Sequence, residues 1–169
     1  MIRPKTLLTT AVAVPLVALT VAACGSGSNN NPPAAAVPKT SGGKAATVGV
    51  ANSGLGKILV DSQGRTLYLF EKDTGTTSTC SGDCAVDWPP VTATGKPTVG
   101  GGLSASKVAT TRRSDGTSQV TYNGHPLYLF QGDKSSGDTN GQGLNAFGAL
   151  WYVVSPAGDA ITSGSSGGS

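Results

Sequence analysis

Two stretches of this chain, Gly64-Arg65-Thr66-Leu67-Tyr68-Leu69-Phe70-Glu71-Lys72-Asp73 and Gly124-His125-Pro126-Leu127-Tyr128-Leu129-Phe130-Gln131-Gly132-Asp133, spell one phrase 60 positions apart. The match runs without a gap through Gly-x-x-Leu-Tyr-Leu-Phe-x-x-Asp, which marks an internal duplication. A duplicated core phrase constrains the fold strongly. Two halves of one small domain must be built on the same plan, and each must place the same aromatic pair and the same terminal carboxylate.

Within the phrase, period-2 alternation puts Tyr68 and Phe70 on one face of a strand and Leu67 and Leu69 on the other. Both faces are apolar, so the strand is expected to be central. One face enters the main core, and the other is covered by the Trp-bearing loop that follows, with Trp88 in the first half and Trp151 in the second. Short alternating or β-branched runs at 47–50, 58–60, 67–70, 108–112, 118–122, 127–130 and 151–154 each suit a strand. Between them, Asp61-Ser62-Gln63-Gly64, Ser114-Asp115-Gly116 and Asn123-Gly124 carry hairpin chemistry. A single helical turn is expected over Cys84 to Trp88, ended by Pro89-Pro90. The expected fold is mostly β, a small two-repeat barrel or sandwich of about seven or eight strands with one short helical turn near a cysteine pair.

The N-terminus reads as an address. Arg3 and Lys5 precede an apolar run that ends in Val21-Ala22-Ala23-Cys24, the pattern of a lipoprotein signal peptide. On this reading residues 1–23 are removed and Cys24 carries the lipid, whose acyl chains contribute roughly 0.8 kcal/mol per buried methylene to membrane attachment. Residues 24–45 form a polar, Pro-broken tether with an end-to-end distance on the order of 25 Å. The two-repeat domain then spans 46–157, with repeat one at about 46–95 and repeat two at about 105–157. Residues 158–169 read as a Gly/Ser tail. Localisation follows: extracytoplasmic, anchored to the cell membrane through Cys24.

Cysteine use agrees with an oxidising compartment. With Cys24 lipidated, Cys80 and Cys84 remain as a pair, expected to form a disulfide that fixes a local turn. The rival reading is a redox-active dithiol, which the C-x-x-x-C spacing and the neighbouring Asp83 disfavour. Loss of Arg3 and Lys5 leaves ten basic residues against nine acidic ones, so charge gives no argument for a nucleic-acid partner.

Several chemistries are excluded by inventory. One His, and no Met once Met1 is lost, cannot supply a blue-copper centre, a closed zinc site or a bis-axial haem. No nucleophile-elbow pattern accompanies His125, which sits beside a turn. No cofactor is expected. Asp73 and Asp133 admit two readings: each accepts backbone N–H bonds just beyond its strand, or Asp133 joins Asp138, Asn140 and Gln142 as oxygen ligands of a hard cation. The first is favoured, because a calcium loop begun at Asp138 would need a Glu where Ala149 stands. Tyr68, Phe70, Trp88, Tyr128, Phe130 and Trp151 likewise form either a packed core or an exposed platform for a ligand, and core packing is the simpler account.

The two copies, Tyr68/Phe70/Asp73 and Tyr128/Phe130/Asp133, resemble the secreted lipoprotein repeat family, which carries a tandem Y-x-[FWY]-x-x-D motif. Cys80-Ser81-Gly82-Asp83-Cys84-Ala85 with Trp88-Pro89-Pro90, and Gly137-Asp138-Thr139-Asn140-Gly141 leading to Trp151, extend the resemblance over most of 46–157. The second copy lacks the Cys pair and the Trp-Pro-Pro. The resemblance implies a family of mainly unknown function with a loose link to alkane breakdown, and it transfers no catalytic residue. The expectation is a non-enzymatic, membrane-anchored binding or interaction domain of the cell envelope, partnered by an unidentified envelope component. The alternative is an accessory in extracellular redox or hydrocarbon metabolism, acting through an aromatic groove or thiol-disulfide chemistry at Cys80/Cys84.

Overall fold

The structure is a computed structural model that describes residues 45–162. The signal peptide, Cys24 and nearly all of the tether lie outside the described residues, as does the end of the tail. The elements run β1 (Thr47–Ser53), β2 (Gly56–Asp61), β3 (Tyr68–Phe70), α1 (Asp83–Asp87), β4 (Thr98–Val99), β5 (Val108–Arg112), β6 (Ser118–Tyr122), β7 (His125–Pro126), β8 (Asn145–Ala146) and β9 (Ala149–Val153). They make three small sheets, ordered β2-β1-β4, β3-β9-β8 and β5-β6-β7. The arrangement is sandwich-like, with no closed barrel and nine strands where seven or eight were expected. Three of them, β4, β7 and β8, fall outside the expected runs and are two-residue pieces too short to leave a periodic signal.

Local chemistry accounts for the hairpins. β5 and β6 pair from Val108↔Tyr122 to Arg112↔Ser118. β6 turns into β7 through Asn123 and Gly124, both at positive φ (50° and 87°), the two-residue turn whose twist matches a hairpin. The first-half counterpart of that turn is longer by one residue. There Asp61 accepts from the N–H of Gln63 and of Arg65 through Oδ1 and pairs with the Arg65 guanidinium.

The phrase itself does not fold identically in the two halves. Tyr68–Phe70 is a regular strand antiparallel to β9, pairing Tyr68↔Val153 and Phe70↔Trp151. Residues 127–130, expected as a strand, are extended but form only isolated bridges, Tyr68↔Tyr128 and Pro90↔Tyr128. Their backbone bonds are divided among three neighbours: Leu127 N–H donates to Val120, Tyr128 N–H to Tyr68 and Leu129 N–H to Pro89. Pro126 has no N–H with which to extend a ladder.

Alternation sorts the core as expected. One cluster holds Leu67, Leu69 and Leu127 with Val48, Leu59, Val91, Val120 and Tyr122. The other holds Tyr68, Phe70, Tyr128, Trp88 and Trp151 with Cys80, Cys84 and Ile58. Residues 158–162, read from composition as tail, are partly folded back. Val154 bridges Ala160, and the Ile161 N–H donates to the Val153 carbonyl at 2.9 Å. The apolar Ala160 and Ile161 pack against the two clusters, which the Gly/Ser count conceals.

Candidate functional site

The two halves meet at their tyrosines. Tyr68 N–H donates to the Tyr128 carbonyl and Tyr128 N–H to the Tyr68 carbonyl, both at 2.9 Å. This reciprocal pair is the mark of two equivalent strands crossing an approximate two-fold axis. The side chains then cross over. Tyr68 donates its hydroxyl to Asp133 Oδ2 at 2.7 Å, and Tyr128 donates its hydroxyl to Asp73 Oδ2 at 2.6 Å. Each motif tyrosine is therefore bound to the carboxylate of the other repeat.

The remaining carboxylate oxygens close the loops beyond the phrase. Asp73 Oδ1 accepts from the Thr79 N–H at 2.7 Å, and Asp133 Oδ1 accepts from the Asn140 N–H at 2.9 Å. One Asp thus ties its own loop with one oxygen and the opposite repeat with the other. Asp138, the other acidic candidate for a cation, spends Oδ2 on the N–H groups of Lys134 and Ser135, and Gln142 is bonded to Ile161 and Val153. These side chain to backbone contacts close and join loops. Among the described residues no three His, Cys, Asp or Glu side chains are grouped to hold a metal ion.

The rings cross over as well. Phe70 stacks on Trp151 at 4.0 Å, Trp151 on Trp88 at 4.0 Å, and Trp88 on Phe130 at 4.3 Å. The result is a four-ring column in which each Phe lies on the Trp of the opposite repeat. Tyr68 meets Trp88 edge-on at 5.4 Å, and Tyr128 meets Trp151 edge-on at 5.1 Å. Such offset and T-shaped pairs add roughly 0.5–1.5 kcal/mol each beyond the area they bury. Tyr68, Phe70, Trp88, Tyr128 and Trp151 are at most 2% exposed, so these five rings offer no exposed platform. Only Phe130 is half-buried, beside a small cavity of about 190 Å³ bounded by Arg65, Pro89 and Asp133.

Burial and hydrogen bonding set the titration of the pair. Burial, reinforced by the facing carboxylate, holds Tyr68 and Tyr128 far above the usual phenol range. Burial also raises Asp133, against the hydrogen bonds from Tyr68 and Asn140 that favour its charged form.

Cys80 and Cys84 are joined in a disulfide, Cα to Cα 5.3 Å. Both are buried within the aromatic cluster. The loop they close is held by a residue that the sequence reading passed over, Arg113 at the end of the β5–β6 hairpin. The residue is 7% exposed, and its guanidinium donates to the Cys80 carbonyl at 2.6 Å, Ser78 Oγ at 2.7 Å and Gln119 Oε1 at 2.7 Å. Ser78 Oγ is also hydrogen-bonded to the Tyr128 hydroxyl oxygen, at 2.7 Å. Asp73, Tyr128, Ser78, Arg113 and Gln119 thus form one polar chain leading into the core. Nothing in the local sequence distinguishes Arg113 from its exposed neighbour Arg112, and no signal was there to find it.

Fold and site together define a duplicated β domain whose halves are fastened by exchanged tyrosine, carboxylate and aromatic contacts. The chain belongs to the family described as a secreted repeat of unknown function, which matches twice, over residues 49–92 and 109–155. A family of secreted repeats places the domain outside the cytoplasm. No helix among the described residues is long and apolar enough to cross a membrane. No curated protein and no solved structure matches the chain.

Proposed function

We propose that this protein is a lipid-anchored binding domain of the cell envelope, without catalysis of its own. The observation that carries the reading is the crossed latch: the phenol, carboxylate and ring that the two copies share are spent on joining the halves. Such residues make a rigid support. Recognition then falls to the surface, where loops and edges held by a stiff scaffold are the usual binding elements. The disulfide lies under the aromatic cluster, where an attacking thiolate has little access, and this favours a supporting role for it over an exchange reaction. The signal-peptide pattern ending at Cys24 supports the anchor.

Two experiments test the proposal. A photo-crosslinking residue placed in intact cells at Val86, Phe147 or Thr110, all exposed, is expected to trap a discrete adduct, and the absence of an adduct from any of them refutes the binding role. Metabolic labelling with an alkyne fatty acid is expected to mark the protein and to be lost in Cys24→Ala. Unchanged labelling in that variant refutes the anchor.

A further inference from the structure

Because the domain is duplicated, each half shows what the other lacks. β1 and β5 correspond at a separation of 60, Val48 with Val108, and each pairs on one side with the next strand of its hairpin. Asn123 N–H donates to the Lys107 carbonyl and Arg113 N–H to the Thr117 carbonyl. Antiparallel alternation therefore turns the backbone of Ala109 and Thr111 toward β6 and that of Val108, Thr110 and Arg112 outward. In the first repeat the equivalent outward groups are used. The Ala46 and Val48 carbonyls accept from the N–H groups of Thr98 and Gly100 as β4 adds in parallel to β1. In the second repeat the outward backbone groups of Ser106, Val108, Thr110 and Arg112 have no backbone partner among the described residues.

The vacancy has a traceable origin. The segments after the two tryptophans match bond for bond at first. Val91 donates to Leu127 and accepts from Val120, while Val154 donates to Leu67 and accepts from Leu59. Beyond Val91 the chain runs on to become β4. Beyond Val154 it turns at Gly158 and comes back on itself, so among the described residues the strand that the approximate symmetry calls for beside β5 is not supplied. An open groove of about 840 Å³ crosses the β5–β6 hairpin to reach β5, bounded by Thr92, Lys96, Pro97, Val108, Thr110 and Thr117. No acidic residue lines it, Lys96 does, and the exposed Arg112 continues the β5 edge. β5 also carries no proline and no bulge to guard it.

We propose that the outer edge of β5 is a strand-addition site that takes an extended acidic segment of a partner protein, parallel to β5, in the position β4 holds beside β1. The proposal rests on the binding role given above and names its site and partner chemistry. Main-chain bonds to Val108 and Thr110 supply affinity, and Lys96 and Arg112 select acidic side chains flanking the paired residues. A second copy of this chain is a poor occupant, since pairing two β5 edges gathers two Lys96 and two Arg112 at one seam.

The test uses the full chain and a blocked eight-residue peptide of alternating threonine and valine with an aspartate at each end. The expected result is hydrogen-exchange protection of the Val108, Thr110 and Arg112 amides on adding peptide, with binding about tenfold or more weaker for a lysine-ended version. Thr110→Pro removes an outward N–H that makes no ladder bond, so it is expected to abolish binding while the protein stays folded. Should that variant fail to fold, Arg112→Glu is expected to reverse the preference between the two peptides. Absence of peptide binding, binding that survives Thr110→Pro, or concentration-dependent dimerisation through β5 each overturns the proposal. Crosslinked adducts in cells from Val86 or Phe147 but none from Thr110 sink this site and leave the binding role standing, whereas no adduct from any position sinks the role itself.

Discussion

Replacing Tyr68 by Phe removes one oxygen from a ring that is otherwise held on all sides. That oxygen donates to Asp133 Oδ2 at 2.7 Å and accepts from the Gly141 N–H at 3.3 Å. A hydrogen bond to a carboxylate contributes about 1.5–3 kcal/mol, and a buried N–H left without an acceptor costs about 1–3 kcal/mol more. Part of the loss is offset because Asp133 is half-buried and regains water, so a net loss of about 2–3 kcal/mol is expected. In a domain of this size each kcal/mol lowers Tm by about 4 °C, giving a drop of about 8–12 °C. The crossing makes the prediction specific. In double-mutant cycles by urea denaturation, Tyr68→Phe with Asp133→Ala and Tyr128→Phe with Asp73→Ala are each expected to show a coupling of about 1–2 kcal/mol. The same-repeat cycles, Tyr68 with Asp73 and Tyr128 with Asp133, are expected to be additive within about 0.5 kcal/mol. Coupling found in the same-repeat cycles and not in the crossed ones refutes the exchange of partners between halves.

Alkali tests the same pair from the side of the phenols: folding holds Tyr68 and Tyr128 protonated above their usual range, while the unfolded chain ionises them near pH 10. Stability is then fully present below about pH 10 and falls above it by about 1.4 kcal/mol per pH unit for each phenol, which denaturation at stepped pH reads as a slope that shrinks in the Tyr68→Phe/Tyr128→Phe protein. Gly141→Ala is expected to destabilise by about 1–3 kcal/mol, since an added Cβ would lie 2.8 Å from Trp88 and 2.9 Å from the Tyr68 ring; an unchanged Tm argues against the packed column. Arg113→Met leaves Gln119 Oε1 and the Cys80 carbonyl without their buried donor, so unfolding midpoints are expected to fall by the equivalent of about 3 kcal/mol, and a neutral result removes the polar chain from the account of stability.

Legibility in the sequence tracked the range of the interaction. The hairpin at 108–122 was readable to the residue, because Ser114-Asp115-Gly116 sets the turn locally between two short β-branched runs. Residues 127–130 carry the same Leu-Tyr-Leu-Phe as 67–70, yet their backbone bonds are divided among three neighbours that no local pattern announces. β4 at Thr98–Val99 forms only because β1 offers an edge there.

What the sequence determined by itself is the plan: a secreted, duplicated β domain with its leucines on one face and its aromatic residues on the other. Alternation and turn chemistry are short-range, and a repeat announces itself in letters. Which tyrosine binds which aspartate, which phenylalanine lies on which tryptophan, and that Arg113 rather than Arg112 enters the core were decided by tertiary structure. Two identical motifs are equally compatible with partners from their own half or from the other, and only the packing of the halves about a shared axis breaks that tie.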